Sequence, residues 1–295
     1  MNLDQALDAF CTHQRVQGRS EQTIAVYAHD LRQVFNRLHV AHVADITAPT
    51  LTAILSDPAV TMTPAGNPKA PTTLNRGRAA LRAFFAWAHD VGEIADNPAL
   101  GIHLQRAPRT PPTFLTDMEV RRLLKALTER TSPLAKRDRV LIGTFLATGI
   151  RLRELVALDI ADVDLDAKHL RVRRAKGGQP QVKFLNTHLR GLLRTYLLWR
   201  KKQGWQQCPA LFISQRGTRI SPRQVGYRFA HWLQEAGIEK DISPHGLRHT
   251  FATRLYSRTG DLLIVQRALG HRQITTTEIY THLVDGALEE ALERL

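Results

Sequence analysis

The chain has 295 residues and 43% apolar side chains, enough for one large domain or two ordinary ones, each with a core. A formal net charge of +14 and a pI near 10.4 point to a polyanionic partner, and no apolar run approaches the 18 residues of a membrane span. Two cysteines, Cys11 and Cys208, support no disulfide framework, and Met1–Ser20 lacks the basic stretch and apolar centre of a signal peptide, so a cytoplasmic protein is expected.

Amphipathic helices account for the first hundred residues. Leu3 to about Val16 is one, and Ser20 caps the next, whose Ile24, Tyr27, Leu31 and Phe35 form a stripe. A shorter helix covers about Ala48 to Leu55. The Pro-, Gly- and Thr-rich stretch from Asp57 to Thr73 reads as an irregular loop. From about Thr73 to Val91 runs the strongest helix of this half, with Leu81, Phe84, Phe85 and Trp87 apolar and Arg76, Arg78 and Arg82 in its early turns. Those three arginines either contact DNA or form a solvated face. Residues 105–112, with three prolines and two arginines, read as a stiff basic linker between a domain at 1–104 and another at 113–295.

Thr116 and Glu119 form a capping box that opens helices over about Asp117–Glu129 and Pro133–Thr148. Beyond TGIRLREL the period changes to two. Val163 and Leu165, Leu170 and Val172, and Val182 and Phe184 mark three short antiparallel strands, with turns at Asp166–Lys168 and Lys176–Gly178. Helices resume near His188 and continue to the end, with breaks near Gln207 and Asp241. The fold class is mainly α, with a helical N-terminal domain and a mixed α/β second domain. Charge follows this division: residues 1–112 carry 10 Lys+Arg against 9 Asp+Glu, and residues 113–295 carry 31 against 18.

The second domain holds the chemistry. In Ser243–His282, His245 and Arg248 stand at i, i+3, followed by Leu269-Gly270-His271 and, nine residues later, Tyr280. Arginine is the forked donor that matches phosphate oxygens, imidazole can donate to them or move a proton, and tyrosine is a nucleophile that needs activation, its reference pKa being about 10. The set suits attack of a phenol oxygen on a phosphodiester. His245 and His249 are also spaced as zinc ligands, but no glutamate lies between them and the cysteines are distant, so no metal is expected.

Arg151 in TGIRLREL, Lys176 on the hairpin, His245 and Arg248 in HGLRH, His271 in LGH and Tyr280 in TTTEIYTH occur in a fixed order, and the chain resembles the tyrosine recombinases of the phage-integrase family, among them the compact two-domain Xer-type enzymes. The resemblance spans nearly the whole chain and makes residues 1–104 a helical core-binding domain. It implies Tyr280 as nucleophile, Arg151 and Arg248 as a phosphate clamp, and Lys176 as general acid with Lys183 in reserve. His245 and His271 become proton-transfer and hydrogen-bonding partners, and Glu154, on the helix of Arg151, an orienting acid. The hairpin departs from the family's G-K-G-x-K-x-R, reading AKGGQPQ here. Arg153 becomes a surface or backbone-phosphate contact and His249 a structural residue.

Two fixed guanidiniums facing the charge that develops on a five-coordinate phosphorus are worth about 3–4 kcal/mol each. No acidic cluster of a two-metal nuclease and no G-x-x-x-x-G-K-[ST] motif is present, so neither metal, ATP nor another cofactor is expected. The resemblance further implies a double-stranded DNA site, two protomers per site, and a homotetramer, or a heterotetramer with a related recombinase. The acidic helix after Tyr280 would dock on a neighbouring protomer. Rival readings are a DNA-relaxing enzyme of the type IB topoisomerase kind and a non-catalytic architectural DNA-binding protein.

Overall fold

Side-chain caps set most of the helix starts. The computed structural model describes residues 1–106, 112–173, 179–205 and 207–270. The chain divides into two compact units, Met1–Arg109 and Thr110–Leu295, each with its own apolar core.

In the first unit α1 (Leu3–Val16) starts from an Asn2/Gln5 capping box. Ser20 and Thr47 cap α2 (Glu21–Phe35) and α3 (Ala48–Ser56) through hydroxyls that accept from backbone N–H groups three residues on. The expected loop at 57–73 contains a one-turn helix, α4 (Pro58–Thr61), and is pinned by Lys69 Nζ donating to Val60 O at 2.7 Å. The long helix α5 (Pro71–Asp90) packs on α1 and α2. Phe84 is the hub of this core, its ring lying 5.5 Å from Phe10, 5.0 Å from Phe35, 5.1 Å from Phe85 and 5.6 Å from Trp87. Such pairs add about 0.5–1.5 kcal/mol each beyond the area they bury.

The second unit begins with α6 (Asp117–Glu129), opened by the Thr116/Glu119 capping box, and α7 (Pro133–Thr148), capped by Ser132. Helix α7 is the axis of the unit. Val140, Leu141, Ile142, Thr144 and Phe145 are all buried, because α6, α9 (Thr187–Lys202) and α11 (Pro244–Thr259) surround it. Between α7 and α9 come the short α8 (Leu152–Ala157) and the sheet β1 (Val163–Asp164), β2 (His169–Val172) and β3 (Gln181–Phe184), antiparallel in the order β1-β2-β3. Helices α10 (Pro222–Glu235) and α12 (Leu262–Leu269) complete the described unit. The mainly helical fold with a small antiparallel sheet matches the expectation from sequence.

Strand β3 differs from its apolar pattern. Leu170 and Val172 face the core as expected, but on β3 it is Lys183, paired with Leu170, that points inward. Val182 and Phe184 are 53% and 82% exposed. Alternation marks two faces of a strand without saying which one is covered.

A buried polar node locks α7 to α10. Asp138, 1% exposed, accepts from Arg137 at 2.6 and 2.9 Å, from Arg228 Nε at 2.7 Å and from Trp232 Nε1 at 2.8 Å. Arg137 reaches onward to Ile213 O at 2.9 Å. Asp138→Ala leaves two cations without their shared counter-charge, one of them fully buried, and is expected to cost about 3–5 kcal/mol in urea unfolding. A loss below about 1 kcal/mol, the range of an exposed pair, would show that the node contributes little.

Candidate active site

Helix α7 ends at Gly149, whose φ of +59° stops the helix in the left-handed conformation. A Cβ there would lie 2.4 Å from the Phe251 ring and 2.9 Å from a Leu269 methyl, so the close packing of α11 and α12 also demands glycine. The chain then turns through Ile150 to Arg151. The sequence reading placed Arg151 on a helix with Glu154; it is instead the extended N-cap of α8, with φ −76° and ψ 150°, and Glu154 is the third residue of that helix. Glu154 Oε2 accepts from Arg151 N at 3.0 Å, and its Oε1 accepts from Arg151 Nη1 at 2.9 Å. One buried carboxylate thus closes the helix start and fixes the direction of the guanidinium.

Arg248, 2% exposed, stands on α11 and joins two loops. Its Nη1 donates to Gly149 O, two residues before Arg151, and its Nη2 donates to Leu269 O at 2.9 Å, two residues before His271. Beside it Lys183 Nζ donates to Ala268 O and Gln181 Nε2 to Gly270 O at 3.3 Å. The last carbonyls of α12, which the helix itself leaves open, are therefore held by side chains from α11 and β3.

His245 lies one turn before Arg248 and reaches solvent. Burial of its inner flank, then the charges of Arg248 and Arg151, push its pKa below the usual histidine value, which favours the neutral ring near pH 7. His249 meets it edge to face with ring centroids 4.9 Å apart, and burial, then His245, then Arg248, lower its pKa to about 4. The described part of the site is thus two oriented guanidiniums, a buried carboxylate, a buried ammonium and two neutral imidazoles. It can receive an anion and move a proton. Lys176, His271, Tyr280 and the C-terminal helix lie outside the described residues.

The sequence reading missed Gln181 and the anchor of the β2–β3 hairpin. Just past β2, Arg173 donates to Asp162 at 2.7 and 3.1 Å and also to Asp159. Arg219 in turn binds Asp159 and donates to Val156 O and Leu158 O, each at 2.9 Å. Arg219, then Arg173, hold the Asp159 carboxyl below its usual range. The signal available was the Asp159–Asp162 pair ahead of a strand with two arginines at its end.

Among the candidate DNA contacts, Arg76 is engaged within its own unit. Its fork binds Asp30 on α2 at 2.7 and 2.9 Å, a pairing of residues 46 apart in sequence. Arg78 Nη1 donates to His103 O at 3.3 Å, and Arg82 and Arg153 are exposed.

A model of the phage integrase family matches residues 113–286, and one of the phage integrase N-terminal SAM-like domain matches residues 7–92. The chain belongs to the phage integrase family. It is 36% identical over 291 residues to the tyrosine recombinase XerC of Mycobacterium sp. (strain KMS), with 95% of each chain covered. Its fold is similar to that of XerH site-specific recombinase bound to palindromic difH substrate in a post-cleavage complex, with a TM-score of 0.74 and 24% identity over 97% of this chain and 83% of that one. It is also similar to the fold of lambda integrase in a tetramer bound to a Holliday junction, with a TM-score of 0.70 and 20% identity over 92% and 78% of the two chains.

Glu154→Gln keeps the shape of the side chain but offers one oxygen where two now accept. The variant should remain folded by circular dichroism and lose about 1–3 kcal/mol of stability. Strand cleavage should slow by about 10- to 100-fold, the scale on which misplaced groups cost rate. A cleavage rate equal to wild type would show that Arg151 needs no such holder.

Proposed function

We propose that this protein is a site-specific DNA recombinase that cuts and rejoins strands through a 3′-phosphotyrosyl intermediate. The observation that carries the reading is the convergence of Arg151 and Arg248, each held by its own partners, beside a neutral His245 in a chain of the phage integrase family.

The phenol oxygen of Tyr280 attacks the scissile phosphorus and loses its proton to a neutral imidazole, for which His245 is the candidate. Negative charge grows on the non-bridging oxygens, where Arg151 and Arg248 are the donors. The bond from phosphorus to the 5′-oxygen breaks, and that oxygen takes a proton from Lys176. The phosphotyrosyl ester keeps the energy of the broken phosphodiester. A 5′-hydroxyl from another strand can therefore attack it, restore the tyrosine and seal the DNA without ATP. Exchange between two duplexes needs four such cuts, one per strand, and membership of the phage integrase family supports a reading with four protomers and a Holliday junction, as in the lambda integrase tetramer bound to such a junction. The basic charge of residues 113–295 supplies affinity through phosphate contacts, which falls steeply with salt. Candidates for such contacts are Arg78 and Arg82 on α5 in the first unit and, separately, the exposed Arg153 on α8 in the second.

Covalent trapping on nicked duplexes tests this directly, with substrates taken from the chromosomal and plasmid DNA of the source organism. Wild type should give a 3′-linked adduct on a denaturing gel, and Tyr280→Phe none. An equal adduct from Tyr280→Phe would mean another nucleophile. Relaxation of supercoiled plasmid without site preference would favour the topoisomerase reading, and tight binding without an adduct on any duplex the architectural one. Arg151→Ala and Arg248→Ala should each slow cleavage by about 10²- to 10³-fold.

The acid side of the pH profile follows from His245. Because its pKa lies below the usual value of about 6.5, the ring stays neutral on acidification to that point and the cleavage rate should hold. Further acidification protonates it and the rate should fall. A His245→Asn variant should be slower throughout and lack that limb, as read from single-turnover rates between pH 5 and pH 8.

A further inference from the structure

Lys183 occupies a position where a lysine is costly. It pairs with Leu170 on the covered face of the sheet and is 4% exposed, while its neighbours Val182 and Phe184 face solvent. The strand gives up burial of a phenylalanine and keeps an ammonium inside. Nζ donates to Ala268 O in the last turn of α12, where the helix dipole leaves partial negative charge. The next two carbonyls, of Leu269 and Gly270, take Arg248 and Gln181. Three successive carbonyls ahead of His271 are thus held by three side chains.

Among the described residues the charges around that point do not cancel. Arg151, Arg248 and Lys183 are positive and Glu154 is negative, while His245 and His249 are both pushed toward the neutral form. Counted over these described residues, the balance is positive by two charges, in a poorly hydrated place. A phosphodiester brings one negative charge, and the five-coordinate state it passes through brings two. We propose that Lys183 is a positioning residue of the strand-cutting site, tying β3 to the last turn of α12 and supplying the third positive charge around the scissile phosphate. This rests on the recombinase reading above.

The role differs from that of Lys176. The Lys183 ammonium is committed to a backbone carbonyl, which suits holding a loop and a field rather than delivering a proton. Burial first, then Arg248, with Arg151 adding to them and Glu154 opposing, lower its pKa to about 8. A phosphate beside it raises that value again and keeps the side chain charged while DNA is bound.

The test uses the full chain on nicked duplexes whose scissile 5′-oxygen is either normal or replaced by sulfur, because a thiolate leaves without being protonated. Wild type should form the adduct on both. Lys183→Met, similar in volume and apolar, should melt at or above wild type yet slow adduct formation by about tenfold or more on both substrates. Lys183→Gln, which keeps a donor for Ala268 O without the charge, should be slowed likewise, and Lys183→Arg should recover most of the rate. Lys176→Met should instead recover on the sulfur substrate. Recovery of Lys183→Met there would make Lys183 the proton donor and overturn the proposal. Wild-type rates for Lys183→Met and Lys183→Gln on both substrates would leave only a structural lysine and overturn it equally. No adduct from wild type on either substrate would remove the recombinase reading itself, a failure that the wild-type lane separates from the others.

Discussion

Two hydrogen bonds from one guanidinium, Arg248 to Gly149 O and to Leu269 O, are the constraint on which the site depends. Each acceptor is a carbonyl at a helix C-terminus, where the helix provides no partner of its own. Arg248 satisfies both and thereby fixes the distance between the chain that enters Arg151 and the chain that enters His271. An apolar residue at 248 would leave two buried acceptors unpaired and would unlink α7 from α12. On the proposed reading, binding the phosphate and spacing the site would be tasks of one side chain, held in place by these two hydrogen bonds before DNA arrives. Preorganisation of that kind is what makes a fixed charge more effective than a mobile one.

The same logic extends outward by one layer. Glu154 directs Arg151, and the Asp159–Asp162 pair holds Arg173, where the chain leaves β2 toward Lys176. Gly149 allows α11 and α12 to approach closely enough for Arg248 to reach both carbonyls. Deeper still, Asp138 joins α7 to α10.

Much of this could be read in the sequence, and the limits were physical ones. The Ser20 and Thr116 caps and the bounds of α1, α6 and α7 are local events, decided within four residues, and they appear where the pattern put them. Arg151 and Glu154 were legible as a pair, but arginine is no common N-cap, so the helix was expected to begin earlier. The Arg76–Asp30 fork joins residues 46 apart, and nothing in the α5 pattern distinguishes it from a solvated arginine. On β3 the alternation marked the strand without saying which face is covered. Val182 and Phe184 carry the apolar signal, yet what turned Lys183 inward was a row of carbonyls more than 80 residues downstream.

That inversion also bears on what the sheet is for. A two-sided strand normally buries its apolar face, and burying Phe184 would contribute about 1.5–3 kcal/mol. The protein forgoes this and accepts the cost of desolvating an ammonium, which several neighbours offset without cancelling. Natural sequences depart from local consistency at functional sites and recover the loss elsewhere. Here part of the recovery lies at the end of α12, whose open carbonyl takes the Lys183 ammonium, and the proposed role assigns the rest to the phosphate. On that proposal, the surplus of positive charge among the described residues would make the site less stable empty than filled. Binding of the phosphate and ordering of the groups around it would then be favoured by the same electrostatic interaction.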